Sequence, residues 1–233
     1  MSAHAANDRR THMLARIREA VRQGNHYGVA PEPGPRGSLG YQGTGADDRV
    51  EAFARSLRRA GGHFHRIRAI SDAPRVIIPI LENAHARRVG ISAEPIFEEP
   101  LFLAKRLRAF GLELWQVTDG RGTHATAAKD ALFALEAGIT GVEALIAETG
   151  TIVLAAKPER PRSLSLLPPL FIALARTEQI VPDLFDWFAL AASTQLPSAW
   201  TFITGPSKTG DIELTLVTGV HGPGEVHVIV CET

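Results

Sequence analysis

The sequence predicts an α/β protein with a mostly parallel open sheet and helices on both faces. Helix-like and strand-like segments alternate along the chain from residue 47 onward. The helix-like segments carry apolar residues at intervals of three and four, whereas the strand-like segments are short and most of them are apolar runs. Because parallel strands need long crossover connections, this alternation favours helix-linked units over a meander of hairpins.

The elements of the first half follow from apolar periodicity and from the glycines that interrupt it. A helix over residues 47–60 carries apolar residues on one face and ends at Gly61-Gly62, because glycine is a poor helix former. The same patterns predict two more helices and three strands, at residues 71–81 and 101–110 and at residues 63–67, 88–92 and 112–117.

The second half is richer in apolar runs. Apolar spacing predicts helices over residues 125–135 and 180–192, the second with Pro182 in its first turn, where the proline ring fits a helix. Short apolar runs predict strands at residues 144–147, 151–154, 170–174, 200–203 and 226–230.

The chain is expected to divide into a helical arm with a linker, residues 1–46, and an α/β domain, residues 47–233. Residues 8–23 carry apolar side chains at helical spacing. Residues 28–46 are rich in proline and glycine, and such a stretch buries too little apolar surface to order itself. The arm is therefore predicted to dock on its own domain or on a partner.

Composition excludes several classes of protein. A hydrophobic share of 45% is ordinary for globular chains, so full disorder is excluded. Lys and Arg number 25 and Asp and Glu also number 25, which leaves no basic excess for nucleic acid. No apolar run approaches the roughly 18 residues of a membrane span, and the first 24 residues lack the apolar centre of a secretory signal. We expect a cytoplasmic protein without nucleic-acid partners.

The neutral total conceals two oppositely charged halves. Residues 1–110 contain 18 Lys and Arg against 11 Asp and Glu, whereas residues 111–233 contain 7 against 14. Such halves could attract each other within one chain or between copies, which is compatible with a homo-oligomer. The alternative is that the charges lie on solvated helix faces.

Loop A, residues 147–151, places Glu148 between two apolar runs and follows it with Thr149, Gly150 and Thr151. A carboxylate in such surroundings must be solvated, paired or hydrogen-bonded, because burying an isolated charge is costly. Glu148 is therefore a candidate base, nucleophile or substrate anchor. The alternative is a turn residue that binds backbone amides or an arginine.

Loop B, residues 162–169, places Arg162 and Ser165 directly before the predicted strand at residues 170–174. A guanidinium beside hydroxyls suits a carboxylate or a phosphate. The alternative is that Ser163 caps a short helical turn while Arg162 lies in water.

Loop C, residues 205–211, directly follows the predicted strand at residues 200–203. Ligands of open α/β sheets bind beyond the carboxyl ends of strands, and the amides of a glycine loop beside a lysine suit an anion. The residue order is not that of a Walker loop. The alternative is a tight turn capping a helix. The candidate binding residues are Gly205, Ser207, Lys208, Thr209 and Asp211.

Histidines supply weaker signals. Loop D, residues 219–224, holds His221 among glycines, either as a candidate proton-transfer residue or as a turn residue. His63 and His65 alternate on one predicted strand and so share a face, but two histidines without a third ligand are a poor metal case. We therefore predict no metal site.

The four loops together resemble the lactate-utilisation protein C family, called LutC or YkgG, which is built on the LUD domain. The matching segments occur in the family's order: Glu148-Thr149-Gly150-Thr151-Ile152-Val153, Leu164-Ser165-Leu166-Leu167-Pro168, Gly205-Pro206-Ser207-Lys208-Thr209-Gly210-Asp211-Ile212-Glu213 and Gly219-Val220-His221-Gly222-Pro223. Two positions depart from the usual pattern. Phe171 stands where many members carry histidine, and Lys208-Thr209-Gly210 replaces a more usual Arg-Thr-Ala but keeps the positive charge.

The resemblance implies a fold and a role. LUD domains look like the fold shared by 5-formyltetrahydrofolate cyclo-ligase and the NagB/RpiA/CoA-transferase group. The role implied is oxidation of L-lactate to pyruvate alongside two partner proteins that carry iron–sulfur clusters. The single cysteine, Cys231, agrees with this division, because one thiol cannot hold such a cluster. The cofactor of this chain itself stays unassigned.

Three functions are consistent with these features. The first is a subunit of a lactate-oxidising system that binds a small carboxylate or a cofactor anion at the loops. Lys208 would neutralise the anion, and Glu148 or His221 would move a proton. The second is a non-catalytic assembly or regulatory subunit of that system. The third is an independent ligase or transferase of the cyclo-ligase-like fold, which rests on analogy of fold.

Overall fold

The computed structural model describes residues 3–24, 40–41, 43, 45–99, 101–116, 130–192, 196–210, 216–219 and 221–232. The chain divides into two compact units, residues 1–39 and residues 40–233. The first unit contains helix α1, Ala3–Gly24, in agreement with the helix predicted over residues 8–23. Most of the predicted linker lies outside the described residues. Within the described ranges, no helix is long and apolar enough to cross a bilayer.

The core of the second unit is a six-stranded sheet in the order β1-β12-β7-β4-β2-β3. Each neighbouring pair in this sheet is parallel, which confirms the predicted parallel sheet. Its strands are β1 (His63–Ile67), β2 (Arg88–Ile91), β3 (Glu113–Gln116), β4 (Ala137–Gly141), β7 (Leu170–Arg176) and β12 (Glu225–Cys231).

Helices cover both faces of this sheet, as predicted. Ile77 of α3 and Leu107 of α4 pack against one face, in a core that includes Ile172. Phe53 of α2 packs against the opposite face, in a core that includes Phe171. The helices of this unit are α2 (Ala46–Ala60), α3 (Ala73–Asn83), α4 (Leu103–Ala109), α5 (Ser163–Leu166) and α6 (Leu184–Ala191).

A second sheet covers α2 and was not predicted. It has the order β8-β5-β6-β9, in which only the β5–β8 pair is parallel. Trp187 of α6 packs against its outer face, in a small core with Ile146 and Val153. A short antiparallel pair, β10–β11, completes the described strands. These strands are β5 (Ala144–Ile146), β6 (Thr151–Ala155), β8 (Ile180–Val181), β9 (Trp200–Ile203), β10 (Lys208–Gly210) and β11 (Leu216–Thr218).

The central strand β4 was missed by the sequence patterns. It reads Ala-Gly-Ile-Thr-Gly and has no long apolar run, although it is buried along its whole length. Its Gly138 allows α5 to pass directly over the strand, since an added Cβ would lie 1.9 Å from the carbonyl oxygen of Leu164. The small residues that weaken the strand signal are therefore those that close packing requires.

The predicted helix over residues 180–192 begins four residues later than expected. Ile180 and Val181 form β8 and pair with β5. Asp183 then caps α6, and its carboxylate accepts hydrogen bonds from the backbone amides of Phe185 at 2.9 Å and Asp186 at 3.1 Å. An N-cap carboxylate satisfies amides that have no partner within the helix, so the helix starts here and not at Ile180.

Glu136 joins β2 to the start of β4 and makes acid stability testable. Hydrogen bonds from the backbone amides of Arg88 and Arg87, and from the Arg88 guanidinium, lower the pKa of Glu136 to about 2 from 4.5. A depressed carboxylate pKa contributes stability that is complete above the unfolded value and is lost as the pH falls towards the folded value.

Glu136→Gln is therefore expected to flatten the decline of unfolding free energy below pH 4.5, measured by urea unfolding. Glu113→Gln, at the exposed start of neighbouring β3, serves as the control. If the unfolding free energy fell equally steeply with pH in both variants, the role of Glu136 in acid stability would be contradicted.

Candidate functional site

Loops A and C meet at the carboxyl-terminal half of helix α2. The Ser56 hydroxyl donates a hydrogen bond of 2.9 Å to the carbonyl oxygen of Glu148 in loop A. Gly150 has a φ of +69°, and a Cβ there would lie 2.3 Å from the backbone nitrogen of Leu57. In loop C, Lys208 Nζ donates to the carbonyl oxygen of Ala60 at 2.5 Å. Two segments that are distant in sequence therefore pack on one end of α2.

A chain of threonine hydroxyls links loop A to the start of loop C. Thr149 Oγ1 lies 2.7 Å from Thr151 Oγ1, which lies 2.7 Å from Thr204 Oγ1. Strands β6 and β9 create this proximity, because their antiparallel register places Ile152 opposite Ile203. The hydroxyls form a polar row at the strand ends.

Loop D closes against loop C. The Ser207 amide donates to the carbonyl oxygen of Pro223 at 2.8 Å, and the Gly219 amide donates to the carbonyl oxygen of Ser207 at 3.0 Å. Gly205 is buried against α2, where a Cβ would lie 2.8 Å from the Ala60 oxygen. His221 is exposed in loop D. Loops A, C and D thus form one contiguous region, hereafter the α2-end region.

The placement of loop C differs from the expected one. The strand before it, β9, belongs to the antiparallel part of the second sheet and not to the parallel sheet. The rule that ligands bind beyond the carboxyl ends of parallel strands therefore does not apply to it. Thr209 lies within β10, but its side chain is outside the described part of the structure. Asp211 lies outside the described residues.

Loop B is built differently from the other three. Ser165 is 1% exposed, and its hydroxyl donates to the carbonyl oxygen of Arg162 at 3.1 Å, inside its own turn. Arg162 itself is exposed. The end of loop B reaches loop D, because the carbonyl oxygen of Pro169 accepts a hydrogen bond from the Gly224 amide at 2.9 Å. The structure therefore connects loop B to loop D through its backbone.

A charged cluster that the sequence reading missed lies at the carboxyl ends of β2 and β4. The chain leaves β2 towards β3 on one side and leaves β4 towards β7 on the other, so these two strands form the switch point of the sheet. Arg160 lies there and is only 2% exposed. It pairs with Glu94 at 3.2 Å and with Glu143 at 2.5 Å. Lys157 also pairs with Glu143, at 2.9 Å.

The charges of this cluster compensate one another. Glu94 also accepts hydrogen bonds from the Ser92 hydroxyl at 2.5 Å and from the Gly141 amide at 2.8 Å. Burial acts to raise the pKa of Glu143, but hydrogen bonds from Lys157 and Arg160 outweigh it and hold that pKa below its usual value. Two carboxylates and two cations leave no net charge. Their ion pairs connect the segments that follow β2 and β4 to the turn at residues 157–160.

A signal for this cluster was present in the sequence. Glu94 follows β2 by three residues and Glu143 follows β4 by two, which are positions where polar residues of parallel sheets gather. Because β4 was not predicted, the strand order could not be derived from the sequence, and Glu94 and Glu143 could not be placed side by side.

The parallel six-stranded sheet and the loops packed on α2 define an open-sheet α/β protein. A family model described as the LUD domain matches residues 50–231. The chain therefore belongs to the LUD domain family.

Curated relatives share substantial sequence with this chain. "Lactate utilization protein C" of Geobacillus thermodenitrificans is 38% identical over 188 residues, which cover 78% of this chain and 72% of that protein. "Lactate utilization protein C" of Halalkalibacterium halodurans is 35% identical over 158 residues, or 66% of each chain. The chain spans less than two thirds of the length of several such relatives, for example 58% of the protein from Anoxybacillus flavithermus.

A solved structure supports the fold. The crystal structure of a DUF162 family protein from Deinococcus radiodurans matches with a TM-score of 0.57 and covers 81% of this chain and 99% of that one. Its sequence is 24% identical, so the match concerns the fold.

Proposed function

We propose that this protein is a subunit of an L-lactate utilisation system that oxidises L-lactate to pyruvate together with iron–sulfur partner proteins. The observation that carries the proposal is the 38% identity, over 78% of the chain, to a protein named for lactate utilisation. Cys231 is the only cysteine of the sequence and is buried in β12. An iron–sulfur cluster needs several protein ligands, so electrons would pass to clusters on other chains.

A growth experiment tests this role. Deletion of the gene in its native organism is expected to abolish growth on L-lactate as the only carbon source and to leave growth on glucose unchanged. A plasmid copy should restore growth on L-lactate. Normal growth of the deletion strain on L-lactate would overturn the proposal.

We further propose that a small carboxylate or another anion binds at the α2-end region. Lys208 is the candidate counter-charge. Its ammonium has three donors, and the bond to the Ala60 carbonyl uses one of them. Glu148 and His221 are both exposed and are candidates for proton transfer. From loop B, exposed Arg162 is a better candidate than buried Ser165, whose hydroxyl is engaged within its own turn.

Lys208→Ala tests the anion site. The increase in Tm that L-lactate or pyruvate produces is expected to disappear in this variant, because the positive charge is lost. The fold should persist, since Lys208 is exposed and its substitution removes one hydrogen bond to Ala60. Lys105→Ala, an exposed lysine on α4, is the matched control and should keep the full shift. Equal ligand-induced shifts in both variants would contradict the assignment.

The other two functions give different results with the purified chain. A non-catalytic assembly or regulatory subunit would copurify with iron–sulfur proteins and would not turn over L-lactate with an artificial electron acceptor. An independent ligase or transferase would show turnover with ATP or a CoA thioester in the absence of partners.

A further inference from the structure

Histidines cluster at the amino ends of β1 and β12, outside the loops described above. The parallel register of these strands places His63 directly opposite His227. The two imidazole rings are stacked, with centroids 4.5 Å apart and planes 16° apart. Glu225 precedes His227 by two residues on β12, so both side chains lie on the same face of the sheet.

Three donor groups converge at this point. His63, Glu225 and His227 each offer one ligand atom, and these atoms all lie within 4.8 Å of one another. Glu225 Oε1 is 2.7 Å from His227 Nε2. The donor atoms of a tetrahedral zinc site lie about 3.4 Å apart, which follows from metal–ligand distances of about 2.1 Å. Rotation of the exposed His63 and Glu225 side chains, which unstacks the His63 ring from His227, would bring all three donors around one ion.

The burial of the three residues fits such an adjustment. His227 is 6% exposed and is held within the sheet. His63 is exposed, and 46% of the Glu225 side chain is exposed, so both can rotate towards a common centre. An ion at this centre would keep a coordination position open to solvent.

A third histidine, His65, orients the buried ligand His227. His65 Nε2 lies 2.9 Å from His227 Nδ1. This contact occupies the Nδ1 side of His227 and directs its Nε2 towards Glu225. Ligating histidines in metal sites usually form a hydrogen bond through their other ring nitrogen, which fixes the ring and its tautomer. His65 therefore has the geometry of a positioning residue.

We propose that His63, Glu225 and His227 bind a divalent transition-metal ion, with Zn²⁺ as the expected occupant. Two imidazole nitrogens and one carboxylate oxygen suit Zn²⁺, whereas Mg²⁺ and Ca²⁺ prefer sets of oxygen ligands. Three protein ligands and an open fourth position characterise zinc sites that bind water or a substrate. The sequence reading considered His63 and His65 alone, and the strand register supplies the two ligands that it lacked.

Zinc binding to the full-length chain tests the site. After chelator treatment and dialysis, titration with Zn²⁺ in a calorimeter is expected to show one ion per chain, and elemental analysis should confirm this ratio. His63→Ala and Glu225→Gln should each weaken binding at least tenfold. His63 is exposed and so is 46% of the Glu225 side chain, so circular dichroism should show an unchanged fold. His12→Ala, an exposed histidine of α1, is the control and should bind as the unaltered chain does.

The role of His65 has a separate readout. His65→Ala is expected to lower the Zn²⁺ affinity by about 10–100-fold, in the range seen for outer hydrogen-bond partners of ligating histidines. His65→Gln keeps a hydrogen-bonding group and should restore part of the affinity. Absence of stoichiometric binding, or equal binding by the His63 and Glu225 variants and the unaltered chain, would overturn the site. The cluster would then be a hydrogen-bonded chain from Glu225 through His227 to His65.

Discussion

Replacement of Arg160 by methionine is expected to lower the free energy of unfolding by about 3–5 kcal/mol, because it leaves two partly buried carboxylates without their shared cation. Arg160 is 2% exposed and pairs with both Glu94 and Glu143. Methionine retains most of the aliphatic stem, so the loss measures the charge more than the packing. Urea unfolding at neutral pH, followed by circular dichroism, provides the measurement.

Two further variants show whether charge is the cause. Arg75→Met removes a surface pair with Asp72 in which the arginine side chain is 85% exposed, and it should cost less than about 1 kcal/mol. Adding Glu94→Gln and Glu143→Gln to Arg160→Met should recover part of the loss, because the unpaired charges are then gone. A loss for Arg160→Met as small as that for Arg75→Met would refute the stabilising role of the Arg160 ion pairs at the ends of β2 and β4.

Gly150→Ala is expected to destabilise the protein by about 2–5 kcal/mol, which combines left-handed backbone strain with a steric clash. Gly150 has a φ of +69°, and its Cβ would meet the backbone of Ser56 and Leu57 in α2 at 2.3–2.7 Å. Backbone cannot rotate away as a side chain can, so loop A must shift off the helix. The free energy of unfolding and any ligand-induced Tm shift should both fall.

Gly111→Ala isolates the strain from the clash. Gly111 has a φ of +90°, and no atom lies within 4 Å of the position of its Cβ among the described residues. It should therefore cost only the strain of about 1–2 kcal/mol. Equal losses of unfolding free energy in Gly150→Ala and Gly111→Ala would contradict the close packing of loop A on α2.

The parallel sheet was accessible from the sequence because its signals are local. The strands at residues 170–176 and 225–231 are largely apolar runs buried under helices on both faces of the sheet, whereas the strands at residues 63–67 and 88–91 are short segments bounded by predicted helices. Strand β4 could not be predicted from the sequence. Its Gly138 weakens the strand pattern, and that glycine is needed for close packing of α5, which lies about 25 residues later in the chain. A glycine required by a distant segment carries no local signal of a strand.

The candidate site was predictable only in its parts. Polar residues between apolar runs identified loops A, C and D, and the structure joins them through Thr151, Thr204 and the backbone of loop D. The Arg160 cluster was not predicted, because its partners Glu94 and Glu143 follow two different strands and are isolated charges in the sequence. The histidine cluster escaped for the same reason, since His227 is 164 positions from His63 along the chain but opposite it in the sheet.

The sequence by itself determined the class of fold, most helices and strands, and the loops in which polar residues interrupt apolar runs. These properties depend on periodicity and on the conformational preferences of neighbouring residues, which act over a few positions. The tertiary structure alone decided which strands are adjacent and hence which side chains meet. Strand order and register follow from the packing of whole elements, and a single added strand such as β4 changes every neighbour relation around it.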